Sequence, residues 1–373
     1  MAEPLRVAVF YGYEQPWENV NLIKDCGLIP FLLHQNHGFE VSLIGTRRDV
    51  DYTYTKFVPG LTLVPLDSFD AAAKAAYVKA HAADIDVLML FGSYYDSMLM
   101  AETYKAGKPD GFIFLSTDFN EDWVRRIPFQ EPRYYNFYER CDLIGVPTPG
   151  IADYIHSNWP WPVHVFRNGY YHFDKTQPVS RPFQEKENII LTVGRLGTEQ
   201  KRTDTLLLAF AKVSVALPDW KLRLVGGVEP AFQEFIDALF DEMPDLRERI
   251  TFTGLIEDRA VLHEEYLRAR ICAMTSFIEG GTNVFCEALT AGCAIASTDI
   301  SAAEDAVGES HECGLLSPVG DYDAFADILL RLCQDAELSI RSENAVKRGL
   351  SLFQMEAIVE EIVSHFPSSR AQE

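Results

Sequence analysis

The stretch Ser276–Thr298 reads SFIEGGTNVFCEALTAGCAIAST and decides how the C-terminal half is interpreted. It carries only two charges, Glu279 and Glu287, in a chain of which 24% of the residues are charged. From Asn283 the apolar spacing predicts a helix, and a Gly and an apolar strand follow it. Because apolar residues surround Glu287 on this helix, we expect the helix to be largely buried.

The two carboxylates of this stretch need partners. Burying an unpaired polar group costs roughly 2–7 kcal/mol, and a charge costs more. The stretch contains no cation, so the partner of Glu287 is a distant Lys or Arg, or a ligand hydroxyl. Gly280 and Gly281, just before the helix, let the backbone approach a ligand and leave N–H groups for an anion. A sugar joined to a phosphate would suit both features.

The segment from Glu279 to Ala288, EGGTNVFCEA, resembles the E-x7-E motif of retaining glycosyltransferases of family 4. The resemblance implies the GT-B fold, in which two Rossmann-like α/β domains face each other across a cleft. It also implies that Glu279 holds the hydroxyls of the donor sugar and Glu287 the ribose. Further donor contacts are implied at Gly280, Gly281, Thr282, Asn283 and Val284. The alternative interpretation is a buried helix in which Glu287 is hydrogen-bonded by other protein groups and binds no ligand.

Length and charge limit the possible classes of protein. A chain of 373 residues with 47% hydrophobic content suits two globular domains. The net charge of −22 argues against nucleic acid and anionic lipid as partners, so a phosphate site must be a local basic exception. The sequence begins directly in a strand, with no charged and apolar leader and no apolar run of about 18 residues. Seven scattered cysteines favour a reducing cytoplasm, with at most peripheral contact at the inner face of the membrane.

Strands and helices alternate along the N-terminal half. The predicted strands are Arg6–Tyr11, 41–44, 61–64, Val87–Phe91, 112–115 and Leu143–Val146. Helices are predicted at 22–35 and 71–83, and this alternation indicates parallel βαβ units. The loop that opens at Gly12 follows the first strand, at the sheet edge where such folds bind ligands, so Gly12 is a candidate donor contact.

A second alternating set begins after a Pro-rich, polar segment. Its predicted strands are 189–193, Lys221–Val225, Ile250–Phe252, 271–275 and 293–297. The turn at 167–169 resembles the one that ends the first domain in family 4. We therefore predict an N-terminal domain at 1–168, a linker at 169–187 and a C-terminal domain at 188–346. A final amphipathic helix is predicted at about Asn344–His365, and the segment 347–373 that contains most of it should cross back to the first domain.

Cations follow the first strand of the second set. Arg195 lies at the end of that strand, and Lys201 directly precedes a helix predicted at 203–216, where the helix dipole disfavours cations unless an anion binds. The segment from Gly194 to Lys201 resembles the G-R-x5-K segment of family 4, which implies that Arg195 and Lys201 bind the donor diphosphate. The alternative is that Arg195 and Lys201 are solvated surface cations that bind no ligand. The resemblance also places the donor base near Gly226 and Gly254.

The first domain should supply the acceptor side. Many family members have a histidine after the fifth strand, but this chain has Asp118 there, and we predict that Asp118 replaces it. The alternative is a turn residue that accepts backbone N–H bonds. Lys24 and Asp25 also lie near the ligand edge, and we expect them to pair with each other.

Two other features, the D-x-D pairs and a basic, aromatic stretch, are interpreted mainly as structural. Pairs of acids in a D-x-D pattern occur at 49–51, 84–86 and 321–323, the pattern that manganese-dependent transferases of another fold use. We expect structural roles for them, with no metal and no cofactor. The basic, aromatic stretch Trp123–Arg140 is interpreted as helix covering the sheet, with acceptor or membrane docking as the alternative.

Together these features predict a retaining glycosyltransferase that is independent of metal. The donor would be a nucleotide diphosphate sugar, a UDP-sugar in preference to a GDP-sugar. The acceptor would be a hydroxyl of a glycan, a lipid-linked molecule or a protein, and the oligomeric state stays open. The competing hypotheses are a phosphorylase or an inverting transferase on the same fold, and a catalytically inactive nucleotide-sugar-binding module.

Overall fold

The computed structural model describes residues 3–11, 18–46, 52–68 and 70–368. The chain divides into two compact units. The first contains Met1–Tyr171 together with Met355–Glu373, and the second contains His172–Gln354. Gly12 and the acidic pair at 49–51 lie outside the described residues, so their predicted roles remain predictions.

The first unit is built on a seven-stranded parallel sheet with strand order β3-β2-β1-β4-β5-β6-β7. The strands are β1 Arg6–Tyr11, β2 Glu40–Thr46, β3 Thr62–Leu66, β4 Val87–Phe91, β5 Phe112–Ser116, β6 Leu143–Val146 and β7 His164–Val165. The six predicted strands are confirmed. The seventh has only two residues, one of them a histidine, so it lacks the apolar run that marks the others.

In the described part of the first unit, six helices follow the strands and cover the sheet. They are α1 Asp25–His37, α2 Ala71–His81, α3 Tyr95–Gly107, α4 Glu121–Arg126, α5 Pro132–Arg140 and α6 Pro149–Asn158. The basic, aromatic stretch Trp123–Arg140 thus forms helices, as its main interpretation predicted. Two of its arginines pair one turn back, Arg125 with Glu121 and Arg126 with Asp122.

The second unit is a six-stranded parallel sheet with strand order β10-β9-β8-β11-β12-β13. The strands are β8 Glu187–Val193, β9 Lys221–Val225, β10 Ile250–Phe252, β11 Ala269–Met274, β12 Ala294–Thr298 and β13 Gly314–Ser317. Five were predicted, and the edge strand β13 was missed. Two parallel-sheet α/β units of Rossmann type, as predicted from the alternation, are therefore confirmed.

Seven helices pack on this second sheet. They are α7 Thr203–Val213, α8 Gln233–Glu242, α9 Arg259–Arg268, α10 Asn283–Ala291, α11 Ala303–Val307, α12 Tyr322–Cys333 and α13 Leu338–Leu352. The helix predicted to begin near Asn283 is confirmed, and six of its nine residues are buried. Its burial follows from the apolar residues on both sides of Glu287.

The end of the chain differs from the single helix predicted from Asn344 onward. Helix α13 ends at Leu352, and a further helix, α14, spans Met355–Ser364. The break occurs where the Met355 N–H donates to the carbonyl of Tyr170 at 3.0 Å instead of to a preceding turn. Helix α14 packs against α1 within the first unit. Across the described ranges, no helix combines the length and apolar character needed to cross a bilayer.

Candidate active site in the second unit

Two loops meet at the carboxyl edge of the second sheet. One joins β8 to α7 and contains Arg195 and Lys201, and the other joins β11 to α10 and contains Glu279. These strands are neighbours in the sheet, so their carboxyl ends lie side by side. The two loops are also joined through their backbones, since the Phe277 N–H donates to the carbonyl of Gln200 at 2.7 Å. The sheet order therefore brings together residues far apart in sequence.

Lys201 and Glu279 form the central ion pair of this edge. The Lys201 ammonium lies 2.5 Å from Glu279 Oε1, and the two side chains are 20% and 11% exposed. The Ser276 hydroxyl donates to the same carboxylate oxygen at 2.8 Å, and Gln200 Nε2 donates to the other at 3.2 Å. Donors on both oxygens hold the Glu279 side chain in one orientation. The two predicted site residues are thus in direct contact.

Arg195 lies on the exposed side of the same edge. Its Nη2 donates to Gln200 Oε1 at 3.0 Å. A small pocket below it is lined by Arg195 and Lys201 together with residues from the ends of β8 and β11. Two cations therefore border one concave surface, an arrangement suited to an anion.

The predicted base-side glycines lie next to the Arg195 loop. The Gly226 N–H donates to the carbonyl of Gly254 at 2.9 Å, and the Gly194 N–H donates to that of Val225 at 2.9 Å. Gly226 has a φ of +141°, and a Cβ there would lie 1.8 Å from the carbonyl oxygen of Gly194. Only glycine fits this approach of two loops, so its presence has a structural reason whatever the ligand.

Arg202 has a different role from its neighbour Lys201. It precedes α7 with a φ of +46°, in the left-handed region that non-glycine residues rarely adopt. Its guanidinium donates two hydrogen bonds to Asp204, at 3.0 and 2.9 Å. Arg202 is therefore paired locally, with a residue of its own helix.

Glu287 contacts a cation from another helix, one of the two kinds of partner that the sequence left open. Arg259, the first residue of α9, donates to Glu287 Oε1, and both side chains are only 14% exposed. The guanidinium also lies over the ring of Phe173, 5.2 Å from its centroid. Burial, and then the nearby Glu287 carboxylate, raise the pKa of Tyr266 well above its ordinary value. The Glu287 carboxylate is therefore held in place without a ligand.

The residues between the two glutamates lead into the start of α10. Thr282 is buried and occupies the N-cap position, but within the described residues its side chain makes no capping hydrogen bond. Gly280, Gly281, Asn283 and Val284 are half-buried. The first turn of α10 contains no acidic residue, so its N–H dipoles favour an anion from outside the helix.

In the first unit, Asp118 is exposed just beyond the end of β5. Asn120, and not Asp118, caps α4 by accepting from the Trp123 N–H at 2.8 Å. Burial, and to a smaller extent the charge of Asp118, raise the pKa of Asp25, whereas Lys24 lowers it. The charge of Asp118 thus acts on Asp25 at the carboxyl edge of this sheet.

The two described D-x-D pairs have structural contacts. Asp84 and Asp86 both contact Arg6, at 2.6 Å through the Asp84 side chain and at 2.9 Å through the Arg6 backbone N–H. Asp321 caps α12 by accepting from the Ala324 N–H at 2.9 Å, as predicted. Among the described residues, no group of three His, Cys, Asp or Glu side chains is placed to hold a metal ion.

Three contact residues were missed from the sequence: Ser276, Gln200 and Arg259. Ser276 lies inside the quoted stretch and could have been found from its position three residues before Glu279. Arg259 carries the same signal as Lys201, a cation at the start of a helix where the dipole disfavours it. Gln200 offered no signal, because a neutral amide in a polar loop is ordinary.

Comparisons with known proteins show what the chain is similar to. Residues 187–335 match the family model described as "Glycosyl transferases group 1". Within the curated proteins, the chain is 26% identical over 161 residues to the phosphatidyl-myo-inositol mannosyltransferase of Mycolicibacterium smegmatis. That match covers 43% of this chain and 40% of the relative, so the chain matches only two fifths of the relative's length.

Solved structures extend the likeness to nearly the whole chain. Sucrose-phosphate synthase from Thermosynechococcus elongatus aligns with a TM-score of 0.69 at 19% identity, covering 96% of this chain and 98% of the other. Anabaena HepE, solved in complex with UDP and glucose, aligns with a TM-score of 0.70 at 15% identity, covering 96% and 98%. At such identities the likeness defines the fold, which is the GT-B fold of glycosyltransferases.

Proposed function

We propose that the protein is a retaining glycosyltransferase that moves a sugar from a nucleotide diphosphate sugar to an acceptor hydroxyl. The observation that carries the proposal is the grouping of Arg195, Lys201 and Glu279 at one sheet edge, directly before the N-terminus of α10. The first two supply positive charge and the third a fixed carboxylate. A donor diphosphate and its sugar need both kinds of group.

The chemistry follows from where charge develops. Cleavage of the donor leaves negative charge on the diphosphate and positive character on the sugar carbon. Arg195, Lys201 and the N–H groups of α10 would stabilise the first. Glu279 would hold the sugar hydroxyls, and its hydrogen bonds to Ser276 and Gln200 keep it oriented before the donor arrives. Because protein groups neutralise the diphosphate in this scheme, the reaction would need no metal ion.

The remaining assignments extend the same scheme. Glu287 would bind the ribose with a carboxylate oxygen that the Arg259 contact leaves available. Gly226 and Gly254 would border the base through their backbone. Asp118 would orient the acceptor hydroxyl or offset charge on the sugar, and its exposure is compatible with either role.

The donor base and the acceptor class are proposed with the help of the comparisons. We favour a UDP-sugar over a GDP-sugar, because Anabaena HepE, which shares the fold, was solved with UDP and glucose. The matched relative is a mannosyltransferase by name that uses a phosphatidyl-inositol, and the acceptor of this chain would be a glycan, a lipid-linked molecule or a protein.

The proposal is tested by turnover of UDP- and GDP-sugars, after a screen for thermal stabilisation. A ligand at 100 times its Kd adds about 2.7 kcal/mol to the free energy of unfolding. Arg195→Ala and Lys201→Ala should each lower turnover about 10²-fold or more, as loss of one charge-stabilising donor does elsewhere. Lys212→Ala, which removes an exposed lysine paired with Asp323, is the matched control.

Three alternatives, an inactive module, a metal-dependent enzyme and an inverting transferase, predict distinct results in this assay. Binding without any turnover would favour the inactive module, and a need for added Mn²⁺ after chelation would favour a metal-dependent enzyme. Inversion at the transferred sugar would contradict retention. Normal rates in both cation variants would place the diphosphate elsewhere.

A further inference from the structure

Gln200 contacts both halves of the proposed donor site. Its Oε1 accepts from Arg195 Nη2 at 3.0 Å, while its Nε2 donates to Glu279 Oε2 at 3.2 Å and to the carbonyl of Ile278 at 3.1 Å. Its own carbonyl accepts from the Phe277 N–H at 2.7 Å. One residue thus joins the β8–α7 loop to the β11–α10 loop through side chain and backbone.

We propose that Gln200 is a positioning residue that links the diphosphate-binding cation Arg195 to the sugar-binding carboxylate Glu279. This inference rests on the proposed function. It gives the site a coupling between its two halves, because a shift of Arg195 toward a bound diphosphate acts on the same amide that orients Glu279. Gln200 itself need not touch the donor.

The chemistry of an amide explains why glutamine suits this place. Toward Arg195 the side chain must accept a hydrogen bond, and toward Glu279 it must donate one. An ionised carboxylate accepts only and would be repelled by Glu279, whereas Lys or Arg donates only and would be repelled by Arg195. A neutral amide fulfils both demands without adding a charge.

The first test compares Gln200→Ala with Gln233→Ala. Gln233 is an exposed glutamine on α8 whose amide donates to Asp237 at 3.0 Å, so the control removes a similar local contact away from the site. Gln200→Ala should lower kcat for sugar transfer about 10-fold or more, the scale of one hydrogen bond to a charged group. Its melting temperature should match that of the control. Unchanged kcat and KM in Gln200→Ala would overturn the positioning role.

The second test is the pH profile of Gln200→Glu. The groups facing the new carboxyl are Glu279, Arg195 and Lys201, with Glu199 beside it in the chain. When ionised, this carboxyl opposes Glu279 and cannot donate to it. When protonated, it accepts from Arg195 and donates to Glu279, as the amide does. The activity ratio of Gln200→Glu to wild type should therefore rise as the pH falls.

The outcomes distinguish failure of this inference from failure of the proposed function on which it rests. A pH-independent ratio, with Gln200→Ala also normal, overturns only the positioning role while wild-type turnover stands. A wild type that neither binds nor turns over UDP- or GDP-sugars overturns both. A rising ratio reports removal of the introduced charge, so it supports the hydrogen-bonding role only together with a lowered kcat in Gln200→Ala.

Discussion

Arg259 is predicted to stabilise the second unit through its contact with Glu287. Replacing Arg259 by methionine removes the positive charge and keeps a long side chain. Methionine keeps an unbranched apolar side chain but removes the guanidinium, which donates to Glu287 and lies over the ring of Phe173. The carboxylate then stays in the largely buried α10 without its cation.

The size of the effect follows from the burial of the pair. Removing one partner of a fully buried ion pair costs about 3–5 kcal/mol. Both side chains are 14% exposed, so water recovers part of that loss. We expect Arg259→Met to lower the free energy of unfolding by about 2–3 kcal/mol, or about 4–12 °C in Tm for a unit of this size.

Urea unfolding of a double-mutant cycle measures this directly. Glu287→Gln and the double variant complete the cycle, and the coupling energy should be about 1–3 kcal/mol. Arg268→Met is the control, since Arg268 on the same helix pairs with Glu187 at 31% and 51% exposure and should lose less than about 1 kcal/mol. A loss in Arg259→Met no larger than in this control, or a coupling energy near zero, would refute the reasoning.

Three further predictions concern other sites. Lys186→Met should lower the free energy of unfolding by about 1–3 kcal/mol in urea titrations. The buried ammonium of Lys186 donates to three backbone carbonyls at the end of α9, at 3.0 to 3.2 Å, and methionine cannot replace these bonds. An unchanged unfolding midpoint would contradict this prediction. Burial lowers the pKa of His263, so the unfolded chain binds a proton first as the pH falls below about 6.5. Stability should therefore decline with falling pH in that range, and an equally steep decline in His263→Gln would show that His263 is not the cause. Asp118→Asn should lose turnover at unchanged Tm and donor affinity, and normal turnover would leave Asp118 without a catalytic role.

The fold was predictable because its signals are local. Apolar runs bounded by Gly and polar loops marked eleven of the thirteen strands found among the described residues. The missed strands β7 and β13 are short edge strands, whose pairing depends on a sheet that must already exist. The break between α13 and α14 was missed because it depends on a hydrogen bond from Met355 to the distant Tyr170.

The candidate site was predictable only in its charged members. Glu287 was recognised because a charge within an apolar helix needs a partner. Arg195 and Lys201 were recognised because they follow a strand and precede a helix, where cations suit a bound anion. Which side chains meet is a property of sheet order, which places β8 beside β11. For that reason the Lys201–Glu279 pair, the Arg259–Glu287 pair and the linking amide of Gln200 became visible only in three dimensions.

Calorimetric titration of UDP and a panel of UDP-sugars into wild type, Lys201→Ala and Lys212→Ala tests the central claim most directly. We expect the wild type and Lys212→Ala to bind equally. Lys201→Ala should bind at least 10-fold more weakly, because it lacks an ammonium that would contact the diphosphate. Equal affinity in all three proteins, with unchanged folding, would contradict a diphosphate site at Lys201.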